Sequence, residues 1–122
     1  MTTQDIFIVE DSPLVRERLL ELLAEVPETR VIGTAAGADE AIEEILAARP
    51  DVVLLHLRLA QGSGFDVLRA LREAAPEIDV YMLSSFATEP YRRLAARPRA
   101  RDFFDKSNEF ERVRDAIAAR PH

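Results

Sequence analysis

Asp51-Val-Val-Leu-Leu-His-Leu-Arg58 is the stretch that decides how the rest of this 122-residue chain is read. Val52 to Leu55 is an unbroken apolar run of strand length, β-branched at its start. Pro50 stops any helix before it, and Gly62 and Gly64 interrupt the chain a few residues later. A run with no polar alternation suits a central parallel strand, because such a strand is covered on both faces. In open parallel sheets the chemistry collects beyond the carboxyl ends of the strands. This strand ends in His56, so the question of function falls largely on that residue.

Outward from it, the same pattern repeats. Ile6-Phe-Ile-Val9 is a compact apolar strand that runs out into Glu10-Asp11. Ser12-Pro13 opens a helix, serine as cap and proline in the first turn. Val15, Leu19, Leu22, Leu23 and Val26 recur at helical spacing up to Pro27. Val31 to Ala36 is a weaker strand. Past Gly37, Ala38, Ala41, Ile42, Ile45 and Leu46 form one apolar stripe, with Asp39, Glu40, Glu43 and Glu44 elsewhere around the helix. A helix is expected from about Gly64 to Ala75, with Phe65, Leu68 and Leu71 inward. Asp79 to Leu83 is the fourth strand, ending in Ser84-Ser85, and Thr88 to Ala96 a short fourth helix. Asp102 to Asp105 is the fifth strand, ending at Lys106, and the last helix begins around Ser107-Asn108 with Phe110, Val113 and Ile117 on one face.

Strands alternating with helices in this way demand a parallel sheet with helices on both faces. The expectation is an α/β, flavodoxin-like (βα)5 three-layer sandwich with sheet order 2-1-3-4-5, the order following from fold analogy. At this length the chain is read as a single domain over residues 1–122, without an output domain, able to bury roughly two thirds of its unfolded surface. The absence of cysteine removes disulfides and thiolate metal sites. The polar start, Met1-Thr-Thr-Gln-Asp5, has no basic or signal-length apolar segment, so a soluble, cytoplasmic protein without a membrane partner is expected. A formal charge of −6 argues against direct nucleic-acid binding by the domain.

In that topology Glu10, Asp11, His56, Ser84 and Lys106 meet at one edge of the sheet. Acidic oxygens can hold a hard divalent cation, while a hydroxyl and an ammonium can hold phosphoryl oxygens. Lys106 is the only lysine, the other 15 of 16 basic residues being arginine, and a compact charge suits a confined pocket. Each residue also has a plainer reading: the acids as a solvated strand end, Ser84 as a turn former.

Glu10-Asp11, the segment Pro50 to Phe65, Leu83-Ser-Ser85 and Phe103-Phe-Asp-Lys-Ser107, in this order and spacing, resemble the receiver domain of bacterial two-component response regulators over essentially the whole chain. The resemblance implies Mg²⁺ at the acid pair Glu10 and Asp11, phosphate readout by Ser84 and Lys106, and a switch aromatic at Phe103. It implies a protein partner, whether a histidine kinase, an output domain or another regulator. It also implies a partner or homodimer face formed by the fourth helix, fifth strand and fifth helix. Where this family has a phosphoacceptor aspartate, the chain has His56. No acyl phosphate can form on an imidazole, and the hold on Mg²⁺ is weakened. The following loop reads Ala60-Gln61 in place of Pro-Gly, and Phe86 stands where a small residue is expected.

The leading expectation is therefore a non-enzymatic, receiver-like signalling module that acts through protein–protein interaction without aspartyl phosphorylation, its imidazole donating to Glu10 or Asp11. Two alternatives stay open: an ordinary phosphoacceptor receiver carrying an introduced Asp-to-His change at position 56, and a metal- or pH-sensing pseudo-receiver. Arg92, Arg93, Arg97, Arg99 and Arg101 fall in a stretch without acids. It is either a solvated face or a docking surface for an acidic partner.

Overall fold

Five strands, β1 (Gln4–Val9), β2 (Thr29–Ala35), β3 (Val52–His56), β4 (Asp79–Ser84) and β5 (Asp102–Asp105), form one sheet in the order β2-β1-β3-β4-β5. Every neighbouring pair runs parallel. The computed structural model describes residues 3–84, 102–105 and 110–120. Its helices are α1 (Pro13–Leu23), α2 (Ala38–Ala48), α3 (Gly64–Ala74) and α4 (Phe110–Ala118). The helix expected at Thr88 to Ala96 lies outside the described residues, so α4 denotes the expected fifth helix. The expected sheet order and three-layer arrangement are those observed.

Successive strand residues face opposite sides, and the two apolar clusters divide along that parity. Phe7, Val9, Val53, Leu55, Val80 and Met82 pack under α2 and α3 with Ala41, Ile45, Val67, Leu68 and Leu71. Ile6, Ile8, Val52, Leu54, Tyr81 and Leu83 pack on the other face with Leu19 and Leu23 of α1 and Val113 and Ile117 of α4. Val52 to Leu55 are wholly buried, which is why the run carries no polar residue.

The helices start and stop where local chemistry tells them to. Ser12 caps α1, its hydroxyl accepting from Val15 N, with Pro13 in the first turn. α1 ends at Leu23, earlier than the apolar spacing indicated, and passes into a tighter turn in which Glu25 N donates to the Leu22 carbonyl and Val26 N to the Leu23 carbonyl, so that Val26 is buried from outside the helix. α3 opens on a capping box: the Ser63 hydroxyl accepts from Asp66 N, and the Asp66 carboxylate accepts from Ser63 N at 3.1 Å. Arg49 ends α2 in the left-handed region at φ 51, its side chain donating to Glu77 at 3.2 Å.

A polar tie closes the amino edge of the sheet. Gln4, only 4% exposed, donates to the Ile117 carbonyl at 3.2 Å and accepts from Arg120, whose guanidinium also pairs with Asp79. The end of α4 is thereby fastened to β1 and β4.

Candidate functional site

Register places the site. β1 pairs with β3 as Ile8↔Leu54 and Val9↔Leu55, so the next step brings Glu10 alongside His56. Both have the parity of Ile8 and Leu54, and their side chains therefore project on the same side of the sheet. His56 Nδ1 lies 3.1 Å from Glu10 Oε1 and 3.5 Å from Asp11 Oδ1. Access is graded: side-chain exposure is 1% for Glu10, 13% for His56 and 36% for Asp11. Asp11 forms the rim and Glu10 the floor.

The floor is fixed from several sides. Glu10 N donates to the Ala35 carbonyl at 2.9 Å, and its Oε1 accepts from Ser12 N at 3.1 Å. The Arg16 guanidinium donates to the Glu10 carbonyl at 3.3 Å. The turn that starts α1 thus also orients the carboxylate.

Behind His56 the backbone is equally constrained. Leu57 N donates to the Leu83 carbonyl at 3.0 Å, and Gly64 N to the Leu57 carbonyl at 2.8 Å. Gly64 packs so closely that a Cβ there would stand 2.3 Å from the His56 carbonyl oxygen. Gly62 adopts φ +75, a conformation glycine enters without a steric penalty. Between them and His56, Gln61 bonds to the start of α2: its carbonyl accepts from Ala38 N at 2.8 Å and its side-chain oxygen from Asp39 N at 3.0 Å. Its amide in turn donates to Asp39 Oδ2 at 3.2 Å. In sequence Gln61 reads only as a departure from a loop pattern. Its position three residues before Gly64 carried no signal that it would cap a different helix.

Of the residues expected at the site, the structure brings together Glu10, Asp11 and His56. Ser84 is the last residue of β4, one step past the His56↔Leu83 pair, and its backbone is what is described. Phe103 stands in β5 opposite Met82, again as backbone. Lys106 and the arginines Arg92, Arg93, Arg97, Arg99 and Arg101 lie outside the described residues, as does Phe86.

One carboxylate oxygen from Glu10, one from Asp11 and one imidazole nitrogen lie within 4.8 Å of one another. This donor set does not fit Mg²⁺ well, since that ion takes oxygen ligands in near-ideal octahedral geometry. A nitrogen in place of a third oxygen moves the preference toward softer divalent ions. Nor does the imidazole offer a carboxylate oxygen on which an acyl phosphate could form.

Residues 6–118 match the family described as response regulator receiver domain. Among curated proteins, the chain is 37% identical over 84 residues to the DNA-binding transcriptional activator DevR/DosR of Mycobacterium tuberculosis, covering 69% of this chain and 39% of that protein. It is 36% identical over 115 residues to protein-glutamate methylesterase/protein-glutamine glutaminase 1 of Carboxydothermus hydrogenoformans, covering 93% of this chain and 34% of the relative. The first relatives are all longer, the chain spanning between 19% and 46% of their length. Among solved structures, the response regulator domain of Thermotoga maritima CheB superposes with a TM-score of 0.84 at 25% identity, over 94% of this chain and 90% of that one. Sheet order, strand-end acids and a family match over nearly the full length agree, and the chain belongs to the response regulator receiver domain family.

Proposed function

We propose that this receiver domain signals through protein–protein contact and does not use aspartyl phosphorylation. The observation that carries the reading is the imidazole at the end of β3, seated 3.1 Å from Glu10, where the family pattern calls for an acceptor carboxylate. Without an acyl phosphate the conformational balance is set by whatever binds one state better than the other. Glu10 and Asp11 keep the family's acidic positions, and Ser84, Lys106 and Phe103 keep its readout and aromatic positions in sequence. In this reading they are inherited rather than used for phosphotransfer.

The partner surface assigned by this reading is formed by β5, α4 and the arginine-bearing segment ahead of β5. Among the described residues β5 is one of the two edge strands of the sheet, and a sheet edge offers backbone groups to a neighbouring element. Arginines Arg92 to Arg101 supply positive charge to an otherwise acidic chain, complementary to an acidic partner segment or to a second copy of this domain. The domain is read as non-enzymatic. The methylesterase and DNA-binding names belong to relatives of which it matches a minor part, and its own charge of −6 has no bearing on what another segment of a longer chain would bind. No described helix is long and apolar enough to cross a membrane.

Beryllofluoride with Mg²⁺ provides the test, because beryllium completes its coordination on a carboxylate oxygen and mimics a phosphoryl group. The amide spectrum of the parent should be the same with Mg²⁺ alone and with Mg²⁺ plus beryllofluoride, while His56→Asp should shift at Glu10, Asp11 and Leu57. Parent shifts at those positions would refute the reading.

A further inference from the structure

We propose that Glu10, Asp11 and His56 form a binding site for a borderline divalent transition ion, Zn²⁺ being the probe of choice. The inference deepens the preceding one and rests on it in one respect: position 56 serves as a ligand rather than as a phosphoryl acceptor.

Geometry carries it first. Nitrogen and oxygen ligands held about 2.0–2.2 Å from one ion stand about 2.9 Å apart at a right angle and about 3.4 Å apart at the tetrahedral angle. His56 Nδ1 lies 3.1 Å from Glu10 Oε1 and 3.5 Å from Asp11 Oδ1, so both nitrogen–oxygen spacings already sit near those values. All three donor atoms lie within 4.8 Å of one another, and an ion enters by drawing the more exposed Asp11 carboxylate inward, displacing any proton shared along these contacts. Three protein ligands leave a fourth position for water or a partner's side chain, the pattern of an open site.

Chemistry and support agree with the geometry. Imidazole together with carboxylate suits zinc and its neighbours better than an oxygen-seeking hard cation. Two carboxylates packed against one ring nitrogen are neutralised by a single divalent charge. Glu10 already has the supporting bond expected of an oriented ligand, Oε1 accepting from Ser12 N at 3.1 Å. The more exposed Asp11 gives the ion its way in from solvent. An ion joining the end of β1 to the end of β3 would tie these two strand ends together, giving the domain an input independent of phosphate.

Calorimetric titration of the full chain with Zn²⁺, Co²⁺ and Mg²⁺ tests it, alongside thermal unfolding. The chain has only two histidines, so His122→Ala serves as the control for adventitious binding at the terminus. One Zn²⁺ per chain is expected in the parent and in His122→Ala. Free Zn²⁺ at about 100 times its dissociation constant should raise the folded-to-unfolded ratio about 100-fold. Mg²⁺ at the same concentration should leave unfolding unchanged, and Co²⁺ should bring visible absorption from nitrogen–oxygen ligation. His56→Ala should lose the site. Asp11→Asn, altering an exposed carboxylate, should weaken it while leaving the fold intact. Zinc binding that survives both His56→Ala and Asp11→Asn, binding lost in His122→Ala, or equal responses to Zn²⁺ and Mg²⁺ would each overturn the proposal. Those outcomes leave the phosphorylation reading standing, which falls only if the parent takes up a phosphoryl group or its mimic.

Discussion

Replacing Gly64 by alanine strikes the contact that seats His56. The added Cβ would stand 2.3 Å from the His56 carbonyl oxygen, 3.0 Å from Leu57 Cα and 3.1 Å from the His56 carbonyl carbon. All three are backbone atoms, and no side chain can swing away to relieve them. The start of α3 must therefore back off from the end of β3 by roughly an ångström to reach ordinary van der Waals separation. Overpacking of this kind costs about 1–3 kcal/mol. The same movement stretches the Gly64 N to Leu57 carbonyl bond, now 2.8 Å, at a further cost of about 1 kcal/mol. Against this, alanine gains at most about 1 kcal/mol over glycine from helix propensity, and less in a first turn. The clash wins, for a net loss of about 2 kcal/mol. With a urea slope of about 1–3 kcal/mol per molar, the unfolding midpoint should fall by roughly 1 M. Equilibrium urea unfolding reads the loss, and amide shifts should change most at His56 and Leu57. An alanine variant with the parent's midpoint and unmoved His56 and Leu57 amides would refute the argument that this close approach fixes the strand end.

Three further outcomes follow from the same structure. Arg120→Ala removes the donor to Gln4 and the partner of Asp79, and should cost about 1–3 kcal/mol in urea unfolding, with exchange protection falling first at the end of α4. Ser63→Ala removes half of the α3 capping box and should cost about 1 kcal/mol, seen as a lower thermal midpoint with an otherwise parental spectrum. Glu44 has its carboxyl raised above the ordinary value of 4.5 by desolvation, then by a hydrogen bond that its protonated form donates to Glu40 and by repulsion from Glu40 and Glu43. A raised acid opposes folding above its folded pKa, and that opposition vanishes as pH falls below the unfolded value. Glu44→Lys, which also sets a Glu40–Lys pair four residues apart, should therefore raise the thermal midpoint slightly at neutral pH and lose its advantage under acid conditions.

Much of the fold was written in the chain because burial on both faces leaves a strand no choice but to be apolar. Val52 to Leu55 and Ile6 to Val9 were legible for that reason, and the Ser12-Pro13 start of α1 because capping is a local matter. Features that depend on two segments meeting were not legible. Gln4 reads in sequence as part of a polar terminus, yet it is buried because β1 runs beside the end of α4. Arg49 takes the left-handed conformation usually given to glycine, with Pro50 ruling out continuation of the helix. The capping box at Ser63 was obscured because aspartate rather than glutamate closes it. Val67 falls outside the expected inward set of Phe65, Leu68 and Leu71, yet it is fully buried. At the site, residue types were readable but spacing was not: the 3.1 Å approach of Glu10 to His56 follows from the β1–β3 register, a pairing between segments more than 40 residues apart.

The most direct test of the central claim is intact mass after incubation with a small phosphodonor and Mg²⁺, run in parallel on the parent and on His56→Asp. The account predicts no gain in the parent and one phosphoryl mass in the aspartate variant, because the carboxylate alone supplies the oxygen that attacks phosphorus. A phosphoryl gain in the parent would contradict it.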